Sequence, residues 1–109
     1  MIVSGYRAMW ALVMFDLPVK TKAQRKRATA FRKALLKRGF DMIQFSVYSR
    51  PCPSEENAAS HILRVEKLLP PKGQVRILLF TDKQYGRMRC YQGEIPLNPE
   101  RAPSQLELF

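Results

Sequence analysis

The sequence predicts an α+β domain built on a mainly antiparallel sheet, and three observations predict it. Residues 9–15 are continuously apolar, residues 75–80 are apolar but for Arg76, and both runs are of strand length. Thr21 and Ser54 each open a stretch with the period of an amphipathic helix. Between those stretches, residues 40–49 are rich in aromatic and β-branched side chains, which suit a pleated, half-buried surface. A chain of 109 residues is enough for one domain, which at this size buries roughly two-thirds of its unfolded surface without a metal or disulfide staple.

Residues 1–8 read as an N-terminal extension, because the first strong pattern starts only after them. The apolar run from Met9 to Phe15 then reads as a central strand covered on both faces, and Asp16-Leu17-Pro18 stops it. Thr21 caps a helix that runs to about Arg38, with Gly39 at the position past the end that favours a left-handed backbone. Ala28, Phe31, Ala34 and Leu35 gather on one side of that helix; Lys22, Lys26, Lys33 and Lys37, with Arg25 and Arg32 beside them, occupy the other. Residues 40–49 form either one bent strand or two short ones joined at Gln44 to Ser46, ending at Pro51-Cys52-Pro53. Ser54, Asn57 and the acids Glu55 and Glu56 suit the start of a second helix, which Ile62, Leu63, Val65 and Leu69 carry toward Pro70-Pro71. Lys72-Gly73 turns the chain into a second strongly buried strand over 74–81. A weaker strand over 87–92 closes a domain spanning 9–92, and a proline-rich tail follows over 93–109. This order is the ferredoxin-like βαββαβ plan with an extra C-terminal strand and an extended tail. Both helices lie on one face of such a sheet, so the other face needs cover, and a second copy related by a two-fold supplies it most simply. A homodimer is therefore expected.

Charge narrows the partner. Lys and Arg number 19 against 9 Asp and Glu, a net charge of +10 that calls for nucleic acid or an acidic membrane. Nine of the basic residues (Lys20, Lys22, Arg25, Lys26, Arg27, Arg32, Lys33, Lys37 and Arg38) lie between Asp16 and Asp41 with no acid among them. Every apolar run is far shorter than the roughly 18 residues of a membrane span, and no apolar secretion signal is evident. A cytoplasmic protein that binds a nucleic-acid backbone, and no membrane, is the expectation. Cys52, Cys90 and the single His61 cannot complete a structural zinc set, so the cysteines read as free thiols.

Asp16 is the most informative carboxylate, standing where a buried strand ends beside the basic segment. Magnesium takes carboxylate oxygen and keeps several waters, so two Asp16 side chains brought together by a dimer axis fit one shared ion, magnesium or manganese. The bland alternative is a cap on the following turn. Asp82 follows a strand antiparallel to the first and so belongs to the opposite edge, where it reads as a turn residue. His61 reads as a helix residue without catalytic partner, and Ser46 as a hydrogen-bonding group without an activating base. Residues 38–45 partly match the octapeptide of RNA-recognition motifs, which stack bases on sheet aromatics such as Phe40 and Phe45 would be. Yet the segment follows the first helix, and Asp41 puts an anion where that motif has a small residue, so Gly39 is read as a helix cap instead.

Met14-Phe15-Asp16-Leu17-Pro18, the basic helix ending in Arg38-Gly39-Phe40, Gln44-Phe45-Ser46-Val47-Tyr48 and the run from Ile77 to Tyr85 together resemble the small CRISPR-associated adaptation endonucleases, the Cas2 family. The tail Gln105-Leu106-Glu107-Leu108-Phe109 resembles that family's type II branch. The resemblance spans residues 9–109. It implies a ferredoxin-like homodimer seated between two dimers of the CRISPR integrase, a heterohexameric complex that captures spacer DNA. It also implies a magnesium-dependent endonuclease cutting RNA or double-stranded DNA, with Asp16 as catalytic residue and metal ligand. Ser46 and Tyr48 match the family's Ser-Val-aromatic segment and take a supporting role, while Arg25, Arg27 and Arg32 match its basic helix in character. With Lys22, Lys26, Lys33 and Lys37 they are assigned to phosphate positioning. Leu106, Leu108 and Phe109 fit an edge strand or groove on the integrase. The competing readings are a non-catalytic scaffold and a toxin-like ribonuclease. If the basic helix grips phosphates, log affinity for nucleic acid falls linearly with log salt, as titration in rising NaCl will show; a flat line refutes the assignment.

Overall fold

The computed structural model describes residues 8–103. The elements run β1 (Met9–Asp16), α1 (Lys22–Lys37), β2 (Asp41–Gln44), β3 (Val47–Cys52), α2 (Glu55–Glu66), β4 (Gln74–Thr81), α3 (Asp82–Gly86), β5 (Cys90–Gln92) and β6 (Ile95–Leu97). The first four strands form one sheet in the order β2-β3-β1-β4, with β1 antiparallel to both β3 and β4. This is the ferredoxin-like arrangement the sequence predicts.

Alternation along β1 divides the interior into two layers. Ala11, Val13 and Phe15 point to the helical side and pack with Phe31 and Leu35 of α1, Val65 of α2, Phe40 and Tyr48. Trp10 and Leu12 point to the other side and pack with Tyr85 of α3. Local chemistry sets the helix ends as expected. Thr21 Oγ1 accepts from the Gln24 N–H at 3.1 Å while Gln24 Oε1 accepts from the Thr21 N–H at 3.0 Å, a complete capping box. Gly39 stops α1 at φ +84°, and a Cβ there would run into the Arg50 guanidinium. Ser54 Oγ accepts from the Asn57 N–H at 3.1 Å and opens α2.

The structure decides one open alternative and corrects several expectations. Residues 40–49 are the two short strands, joined by the turn at Phe45-Ser46, and β3 ends at Cys52, within the expected Pro51-Cys52-Pro53 stop. The pairing of β2 with β3 has ended by Ser49, so the sheet is one strand narrower at Pro51, where a residue without N–H is tolerated. The strand over 74–81 is not strongly buried. Among the described residues it pairs with β1 alone, its exposure alternates, and Leu78 is 45% exposed. Asp82 is not a turn residue but opens α3, whose own capping box joins Thr81 and Gln84. The extra strand shrinks to β5, which pairs with β6 in a separate two-stranded sheet; the boundary drawn at residue 92 falls inside that hairpin.

The second face of the sheet is half covered by the chain itself. The Trp10 and Tyr85 rings stack at 3.9 Å, and Trp10 Nε1 donates to Asp82 Oδ1 at 2.7 Å. Tyr85 Oη donates to Glu100 Oε1 at 2.9 Å, which ties the following segment back onto α3. Burial first, and the nearby Glu100 carboxylate with it, push the Tyr85 phenol up to about 12, so it remains a neutral donor across the physiological range. Met88 and Ala102 pack against the same cluster, which Met14, Ile43, Val47 and Phe80 extend along the sheet. Among the described residues, no helix is long and apolar enough to cross a membrane. Trp10→Ala removes the ring stack and the indole donor together, and should lower unfolding stability by about 3–5 kcal/mol in urea titrations.

Candidate nucleic-acid and metal site at the end of the central strand

The alternation that buries Trp10 and Leu12 brings Asp16 to the same, second face, at the end of β1 remote from α3. Its carboxylate is exposed and, among the described residues, has no hydrogen-bond partner. In register it lies opposite Gln74, and an open cleft of about 190 Å³ beside it is lined by Met14, Phe15, Asp16, Gln74 and Arg76. Arg76 pairs with Met14 and so shares the face of Asp16. Sequence reasoning missed it, although a cation on the same parity as Leu78 and Phe80 in an otherwise apolar strand is a visible signal. Asp82 stands beyond Thr81, which pairs with Met9, and thus at the opposite edge from Asp16, as predicted.

Two backbone devices hold this strand end. Gly73, at φ +101°, packs so closely that an added Cβ would stand 2.7 Å from the Asp16 carbonyl oxygen and 2.8 Å from Leu17 Cδ2. On the other side, Ser46 adopts φ +62° and its carbonyl accepts the Phe15 N–H at 3.1 Å, clipping the β2–β3 turn to the residue before Asp16.

The structure distributes the remaining predicted residues unevenly. Ser46 reaches the site through its backbone. Tyr48 is buried in the helical-side core, its ring stacked on Phe15 with centroids 5.6 Å apart, so it supports the strand end from beneath. The Arg32 guanidinium carbon lies 5.9 Å from the Phe15 ring centroid and 5.5 Å from that of Phe45. Arg25 donates from Nη1 to the Val19 and Lys20 carbonyls at 3.1 and 3.0 Å, and so fastens the loop between β1 and α1. Lys22, Lys26, Arg27, Lys33 and Lys37 are exposed along α1. At 1.5 Å per residue, Lys37 stands about 22 Å along the helix from Lys22, so these cations form a stripe, not one pocket. Leu106, Leu108 and Phe109 lie outside the described residues.

His61 and the cysteines take no part in the site. His61 Nε2 accepts from Arg50 Nη2 at 3.0 Å. Burial, and then the charges of Arg50, Arg64 and Arg38, hold the imidazole below its usual pKa and so neutral near pH 7. Cys52 is buried, which pushes its thiol up despite the adjacent Arg50. Among the described residues, no group of three or more His, Cys, Asp and Glu side chains is placed to hold a metal. Magnesium, however, is commonly bound through one or two carboxylates and water. The free Asp16 carboxylate fits half of such a site.

Comparison with known proteins agrees in one direction. A family model described as CRISPR associated protein Cas2 matches residues 9–88. A Paracidovorax avenae protein named CRISPR-associated endoribonuclease Cas2 is 51% identical over 108 residues, covering 99% of this chain and 100% of that protein. Proteins of the same name from Flavobacterium psychrophilum and Parvibaculum lavamentivorans are 47% and 48% identical, over 98% and 93% of this chain and 93% and 100% of their own. A crystal structure of cas2 aligns with 67% of this chain and 75% of its own at 23% identity and a TM-score of 0.48. Coverage of 99% leaves about one residue unaligned, so the similarity enters residues 1–8, which the resemblance read from the sequence left out. Gly73→Ala tests the clamp on this strand end: it should cost about 1–3 kcal/mol in urea unfolding and broaden the backbone amide resonances of Asp16 and Leu17.

Proposed function

The chain belongs to the CRISPR-associated Cas2 family, and from that premise we propose that it acts as a homodimeric nuclease subunit in the acquisition of CRISPR spacers, bound to nucleic-acid backbone and to the integrase. The observation that carries this reading is the free Asp16 carboxylate at the rim of a positively flanked strand end. The names of the relatives, endoribonucleases, support phosphodiester cleavage.

Each side chain then has a role set by its position. Asp16 offers oxygen to a divalent ion, which when bound polarises the phosphodiester and lowers the pKa of water. Two copies of Asp16, one from each protomer, supply the pair of carboxylates. Arg76 stands on the same face to neutralise a nonbridging phosphate oxygen. The α1 stripe holds the backbone farther along without reading its sequence, so RNA and double-stranded DNA are both admissible substrates. Dimerisation has local support. Leu78 is exposed on the second face. The β5–β6 hairpin presents Tyr91, Ile95 and Leu97 to solvent, and an isolated two-stranded ribbon is marginal without further packing. The scaffold reading draws on a different observation, the single carboxylate that each chain brings to the site.

Purified protein incubated with RNA and duplex DNA separates the two. Cleavage should require magnesium or manganese, stop with chelator, and fall roughly a hundredfold or more in Asp16→Asn with nucleic-acid binding retained. Cleavage that survives in the variant removes Asp16 from the mechanism. No cleavage of either substrate, with integrase-dependent spacer capture intact, selects the scaffold.

A further inference from the structure

From the geometry of the β2–β3 turn we infer that Phe45 is a stacking platform for an unpaired nucleobase, which makes the strand end prefer single-stranded over duplex nucleic acid. The inference rests on the reading of that end as a nucleic-acid site and adds a residue that reads strandedness.

Of the two aromatics in the octapeptide-like segment, Phe40 is 1% exposed and belongs to the core, whereas Phe45 is 75% exposed. Removing a phenylalanine ring from water is strongly favourable, so a ring held in solvent has apolar surface in reserve for a partner. The turn that carries it is not loose. Ser46 is fixed at φ +62° and bonded to the Phe15 amide, and β2 and β3 pair on either side of the turn. A ring presented by a preset backbone loses little conformational freedom when something stacks on it.

Arg32 adds charge. Its guanidinium sits over the Phe45 ring and over Phe15, and Phe15 immediately precedes Asp16. A base on the open face of Phe45 would thus have a cation behind the ring and the exposed carboxylate at the adjoining strand end. Every nucleobase has a π-face, so such a contact tolerates any sequence. Bases inside a duplex are already stacked on their neighbours, and only an unpaired base can use the platform.

The test is binding without cleavage. A short oligoribonucleotide carrying 2-aminopurine, single-stranded or annealed to its complement, is titrated with the full chain in chelator. Phe45→Ala should weaken single-strand binding roughly ten- to a hundredfold, keep duplex binding within about twofold and abolish the 2-aminopurine quench; Phe45→Trp should restore both affinity and quench. Equal losses on both forms, or a quench that persists in Phe45→Ala, overturn the inference while leaving the nucleic-acid site in place. A Phe45→Ala protein that changes mass by light scattering also overturns it, because the ring then belongs to a protein interface. Failure of the unaltered chain to bind either form overturns the proposed function, and the inference with it.

Discussion

Everything in this fold is keyed to the register of β1, among the described residues the one strand with long antiparallel partners on both sides. Because side chains alternate, a slip by one residue would send Ala11, Val13 and Phe15 to the second face and Trp10 and Leu12 into the helical core. Neither layer could absorb the exchange. Trp10 needs the flat Tyr85 ring and the Asp82 acceptor, while Val13 sits in a space enclosed by both helices. Asp16 is the last member of the same alternation, so packing at one end of the strand decides which face receives the carboxylate at the other. The site is positioned by the core before any of its own contacts are counted.

The charge distribution follows from the same frame. Phe31, Leu35 and Ala28 take the buried side of α1, which leaves its cations nowhere to point except solvent. A row of like charges on one helix repels itself, and screening by salt reduces that cost only over distances beyond about 8–10 Å. A phosphate backbone relieves it directly. Arg25 and Arg32 depart from the row: one hydrogen-bonds the loop carbonyls and the other lies between two rings. Their planar guanidinium groups suit those duties, which a lysine ammonium in either place would perform poorly.

Legibility in the sequence tracked the range of the interactions concerned. The caps at Thr21 and Ser54, the left-handed Gly39 and the limits of β4 rest on contacts between near neighbours, and each was readable. Asp16 was readable for the same reason, since an apolar run interrupted by Asp-Leu-Pro announces an exposed strand end. What escaped depends on residues distant in the chain. The five residues of α3 carry too little periodicity to register, and their helix is held by Trp10, 72 positions away from Asp82. The apolar run of β4 resembles a central strand, yet its place at the sheet edge is set by topology, not composition. Arg76 joins Asp16 only through the β1–β4 register. The β5–β6 hairpin was divided between a strand and a tail because three-residue strands leave almost no pattern. The exposure of Phe45 likewise depends on where its turn lies against Phe15.

A site with one carboxylate per chain has a thermodynamic consequence in the proposed dimer. Two aspartates brought close without a cation repel, and that repulsion opposes association. A divalent ion removes the repulsion and replaces it with attraction, so ion binding and dimerisation favour each other by the same free energy. The apolar contacts of the second face must therefore hold the protomers together well enough to tolerate an empty pair, or the ion must arrive with the second protomer. In the proposed dimer the exposed apolar side chains favour the first arrangement. Leu78 and the hairpin residues Tyr91, Ile95 and Leu97 offer exposed apolar surface, while the Asp16 carboxylate is itself exposed to water, which screens it. An exposed position weakens the repulsion in the empty state and keeps the ion exchangeable. The proposed dimer would then persist whether or not the ion is bound, and one assembly would serve as a scaffold continuously and as a nuclease only when charged with metal.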